Sequence, residues 1–87
     1  MNYEFNLIYG GFITYFKKDK NGNKTEVEYT MYKLFEKDDD KHVVNEVVFN
    51  VKGANPFRYN GNLLEPVKAV IKVSATSNYK ELINLKK

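Results

Sequence analysis

Apolar and polar residues alternate with a period of two along most of this chain, the rhythm of a half-buried β-strand. Tyr3, Phe5, Leu7 and Tyr9 share one face of a first strand. Gly10-Gly11 interrupts it and predicts a bulge or sharp bend, after which Phe12 to Lys18 resume the strand. Residues 19–24, Asp-Lys-Asn-Gly-Asn-Lys, form a turn, and Asn21-Gly22 is the strongest hairpin signal in the chain. A second strand runs from about Thr25 to Lys37, with Val27, Tyr29, Met31 and Phe35 on one face and Glu26, Glu28, Thr30 and Tyr32 on the other. Tyr32, grouped with polar neighbours, is therefore the tyrosine expected to be most exposed. Asp38-Asp39-Asp40-Lys41 makes a further tight turn. In a third strand, His42 to Lys52, Val43, Val47, Phe49 and Val51 oppose Val44, Glu46 and Val48.

Residues 53–65 break the rhythm. This stretch holds two of the five glycines and one of the two prolines, is too short and too Gly/Pro-rich for a helix, and reads as one long loop. A fourth strand begins after Pro66, where Val67, Ala69, Ile71, Val73 and Ala75 alternate with Lys68, Val70, Lys72 and Ser74. The tail from Tyr79 fits both a capped helix and an alternating strand. A strand is favoured, because four strands with no covering helix would leave an exposed edge. The expectation is a single all-β domain over 1–87: a small five-stranded barrel of the oligonucleotide-binding (OB) kind, with a bent first strand and no connecting helix. An SH3-like barrel and a two-layer sandwich share most of these features.

Composition narrows the chemistry. A net charge of +3 is a mild basic excess that permits a nucleic-acid partner without requiring one. Four lysines crowd residues 17–24 against Asp19, and five lie in residues 67–87 against Glu81. There is no cysteine, hence no disulfide or thiolate metal site, which fits a reducing cytoplasm. The first residues lack the basic and apolar regions of a signal peptide, and no apolar run reaches the length of a membrane span. His42 is the one histidine and has no nucleophile in an obvious setting. Asp38, Asp39 and Asp40 with His42 offer metal-ligand atoms, but adjacent turn side chains point apart. Residues 19–30 echo a calcium loop and fail where Lys24 and Thr30 replace its glycine and glutamate. Neither catalysis nor a cofactor is expected.

Thirteen residues are Tyr or Phe, and several stand beside a cation. A flat ring can stack on an unpaired base while a neighbouring cation holds the phosphate. Phe57-Arg58-Tyr59 places the only arginine between two aromatics in the long loop. Tyr15, Lys17 and Lys18 form a second group at the first turn, and Tyr15 and Lys17 share a strand face. Tyr32 and Lys33 are a third. Lys68 and Lys72 share a face of the fourth strand and could line a phosphate track, although lysines also protect exposed strand edges.

Similar length, a basic first turn, a Tyr-containing second strand, an Asp-rich turn, a helix-less third connection and a short basic end give the chain a further likeness. In plan it resembles the small single-stranded-DNA-binding proteins of phages and plasmids, of the filamentous-phage gene V type. The resemblance implies sequence-tolerant binding of single-stranded DNA or RNA in replication, and a homodimer. The competing reading is a small phage-type accessory or inhibitor protein that docks on another protein through the aromatic loop 55–61.

Overall fold

The computed structural model describes residues 1–37 and 43–87. These form one sheet of five antiparallel strands: β1 (Asn2–Lys18), β2 (Lys24–Lys37), β3 (Val43–Lys52), β4 (Pro66–Val73) and β5 (Lys80–Lys86), with no helix among the described residues. The expected turn over Asp38–Lys41 and His42 lie outside them. The ambiguous tail is a strand.

Strand order is β3-β2-β1-β4-β5, and β1 holds the sheet together. Its first half, Asn2–Ile8, pairs with β4, and from Ile8 to Lys18 it pairs with β2. The glycine pair expected to bend the strand makes a bulge inside one continuous β1. Between the pairs Tyr9–Leu34 and Phe12–Tyr32, β1 spends two residues where β2 spends one. Gly11 adopts φ 95°, a value that disfavours a side chain. A Cβ on Gly10 would lie 2.6 Å from the Phe35 ring and 3.0 Å from the Lys33 carbonyl.

The bulge also exchanges the faces of β1. Before it, odd-numbered Leu7 and Tyr9 point into the core; after it, even-numbered Phe12 lies beside the buried Tyr32 ring, centroids 5.9 Å apart. Odd-numbered Ile13, Tyr15 and Lys17 are thereby turned to the outer face.

The core lies on the concave side of the sheet. Leu7 and Tyr9 meet Tyr32 and Leu34 of β2, Phe49 of β3, Val67, Ala69 and Ile71 of β4, and Leu82 and Leu85 of β5. β3 and β5 are the two edges. They approach one another across the concave side, but no ladder joins them, so the sheet is not closed. Loop 53–65 contains turns and no helix, and it is tied to β1 at the bulge. Leu64 N–H donates to Tyr9 O at 2.8 Å, and Tyr9 N–H to Glu65 O at 3.0 Å.

β4 stops at Ile8 and β3 stops at Tyr29, so the far ends of β1 and β2 pair only with each other. They project as a two-stranded ribbon from a molecule 45 × 33 × 21 Å across. Asp19 closes the ribbon: its Oδ1 accepts the N–H groups of Asn21 and Asn23, both at 2.9 Å.

Candidate nucleic-acid interface

Two aromatic side chains meet on the outer face of the ribbon. Tyr15 and Tyr29 are direct cross-strand partners, and their rings stack with centroids 6.0 Å apart and planes 26° from parallel. Lys17 Nζ lies 5.7 Å from the Tyr29 ring centre, within reach of a cation–π attraction. On its other side Tyr29 pairs with Lys52 of β3. Tyr15 Oη donates to Asn50 Oδ1 at 2.9 Å, which leaves the Asn50 amide group as a donor. Ile13, Met31 and Asn50 form the next row of the same face, and Ile13 is 56 % exposed. The result is a patch in which Ile13 and Tyr15 are exposed and Tyr29 and Met31 half-buried, bordered by Lys17 and Lys52.

Other expected residues are dispersed. Lys18 faces Lys24 at the end of the ribbon, where Lys24 Nζ sits 4.8 Å above the Phe16 ring on the opposite face. Lys33 points outward, 4.0 Å from Glu46 Oε1. Lys68 and Lys72 lie on the outer face of β4, opposite Asn6 and Asn2. Asn6 and Tyr15 lie nine positions apart along β1, about 30 Å at strand rise. The β4 lysines and the ribbon patch are therefore not one cluster.

The aromatic loop is turned inward. Tyr32, expected at the surface, is fully buried: its hydroxyl donates to Asn55 Oδ1 at 2.8 Å and its ring stacks on Phe57 at 5.4 Å. Tyr59 is buried too, edge-on to Tyr9 at 4.6 Å, and its ring covers Gly61 so closely that a Cβ there would collide with it. Phe57 is half-buried against the core. Only Arg58 of this trio is exposed, at φ 51°, with its N–H donating to Asn55 O at 2.9 Å. Thr30 locks the loop in place: Oγ1 donates to Gly53 O and accepts Asn55 N–H, both at 2.6 Å. Tyr32 and Tyr59 thus have no face open to a base. The cause is the loop itself, which folds over Thr30 and Tyr32 and makes that side of β2 the inner one.

Burial raises the pKa of the Tyr9, Tyr32 and Tyr59 hydroxyls above 10.0. Neighbouring Tyr32 and Tyr59 add to the effect at Tyr9, and Glu65 adds to it at Tyr59. A hydrogen bond from the Phe57 backbone opposes it at Tyr32. No group of three metal-ligating side chains occurs among the described residues, and the Asp38–Asp40 and His42 grouping lies outside them.

Sequence reasoning found Tyr15 and Lys17 but missed Tyr29, Asn50 and Lys52. A two-residue turn at Asn21-Gly22 would set Tyr15 opposite Glu28. Instead the turn pairs Asp19 with Asn23, and the irregularity between Phe16 and Lys18 then moves the register by two, which sets Tyr15 opposite Tyr29. No family model, curated protein or solved structure matches this chain.

Proposed function

We propose that this protein binds single-stranded nucleic acid, DNA in the first instance, without catalysis, through the outer face of the β1–β2 ribbon. The stacked Tyr15–Tyr29 pair, with Lys17 over one ring and Lys52 beside it, carries the reading. Rings and cations lie side by side there, the combination that lets bases stack while phosphates are neutralised, and nothing in the arrangement selects one base sequence. The open sheet, with edge strands turned toward each other and a helix-less connection, supports an OB-like barrel left unclosed as its scaffold. The wider reading, a phage- or plasmid-type replication protein acting as a cytoplasmic homodimer, rests on the resemblance in plan alone. Docking on a protein through loop 55–61 is the weaker alternative, since Phe57 and Tyr59 are committed to the core.

Titration with fluorescent oligo-dT and a matched duplex, at low and moderate salt, tests the proposal. The single strand is expected to bind more tightly, with an affinity that falls steeply with salt as counterions are released. Equal affinity for duplex would reduce the interaction to charge attraction, and absence of binding at low salt would remove it.

A further inference from the structure

The concave side of the sheet holds a second feature, at the end opposite the ribbon. There β3 and β5 leave a hollow of about 170 Å³. Its walls are Phe5, Val47, Phe49, Ile71 and Val73, with Glu36 and Lys80 among its lining. Phe5 remains 43 % exposed although it lies on the core face of β1.

We infer that this hollow takes one unpaired base and prefers cytosine to uracil or thymine, an extension that rests on the single-strand reading above. Three observations converge on that ligand. The first is size: an apolar cavity of about 150 Å³ admits a benzene ring, so a hollow of about 170 Å³ has room for a single six-membered ring. The second is the pairing chemistry. Asn45 Nδ2 donates to Glu36 Oε2 at 3.0 Å and orients a carboxylate that can only accept. Cytosine presents its N4 amino group as a donor, whereas uracil and thymine present the O4 acceptor at the same place. The third is charge: Lys80, opposite Val73 on β5, supplies a cation for the phosphate attached to a base held against Phe5. An inserted peptide strand is the poorer occupant. Cα atoms of β3 and β5 approach to within 8 Å, and a strand between them needs about 9.6 Å.

Amide spectra of the whole chain, titrated with CMP and with UMP at low salt, test this directly. CMP should move the signals of Phe5, Val47 and Val73, with UMP weaker by about five- to hundredfold, the usual worth of a matched base-edge contact. Glu36→Gln should remove that preference, because an amide can donate as well as accept. Lys80→Ala should weaken both nucleotides alike. Asn45→Ala, which keeps the carboxylate but frees it, should narrow the difference. Equal affinities in the parent, shifts confined to other residues, or none at millimolar nucleotide would overturn the inference. Oligo-dT titrated in parallel separates the two sites. CMP binding at the hollow without oligo-dT binding would sink the ribbon reading alone. Oligo-dT binding that Tyr29→Ala weakens, with no CMP response, would sink the hollow alone.

Discussion

Thr30 shows how one hydroxyl can decide where a loop goes. Its Oγ1 satisfies a carbonyl and an N–H of loop 53–65 from a site with no solvent exposure. Thr30→Val keeps the shape and leaves both backbone groups without a partner, which costs about 1–3 kcal/mol. Urea unfolding should show this as a lower midpoint with an unchanged slope. Phe57 has a related role, since its ring stacks on Tyr32 and closes the core from above. Phe57→Ala should cost about 2 kcal/mol, below the 3–5 kcal/mol of a fully buried phenylalanine because the ring is only half-buried. The same variant should bind oligo-dT as the parent does at temperatures where both are folded. A loss of affinity without a loss of stability would return the binding role to the loop.

At the scale of elements, the alternating pattern located all five strands, because each strand has one face on a shared core. It also located the interruption at Gly10-Gly11, since nothing but a bulge or bend suits two glycines inside a strand. The facing of β2 was not legible. Val27, Tyr29 and Met31 look like a core stripe, yet Tyr29 and Met31 lie on the outer face beside Lys52 and Asn50 of β3, and Val27 lies beyond them on the ribbon. The inner positions Thr30 and Tyr32 look like a solvent face until the loop that covers them is known. Of the expected binding residues, Tyr15 and Lys17 came together because they sit on one strand at a spacing of two. Tyr29, Asn50 and Lys52 depended on the register of β2 against β1 and against β3, which irregularities in both pairings reset. The ribbon face has a plain consequence. Tyr29→Ala should weaken oligo-dT binding by about 1–3 kcal/mol, the worth of one stacked base. Lys17→Ala should flatten the dependence of log affinity on log salt by about 0.7, one phosphate contact on a single strand. Neither side chain lies in the core, so thermal melting of both variants should stay close to the parent; a large drop in either would assign that residue to folding instead.

The whole molecule is a single open sheet whose core includes three buried tyrosines packed on one another and on Phe57. Their hydroxyls keep their protons to higher pH when folded than when unfolded, because burial disfavours the phenolate. Above pH 10 the unfolded chain has therefore lost protons that the native state retains, and stability falls as pH rises. The contribution is complete below pH 10 and is lost as pH passes through the raised native values. Absorbance at 295 nm followed together with far-ultraviolet dichroism should show a cooperative alkaline transition, in which the last tyrosines ionise as the β signal disappears. Full ionisation with the β spectrum intact would contradict the packing of Tyr9, Tyr32 and Tyr59.

The same architecture separates a buried aromatic cluster on the concave side from a partly exposed one on the outer face, and the functional account stands on that separation. Mapping amide shifts on addition of oligo-dT addresses it most directly. The account predicts that the largest changes fall on Ile13, Tyr15, Lys17, Tyr29, Asn50 and Lys52, with residues 53–65 little affected. Changes centred on residues 55–61, or none at low salt, would contradict it.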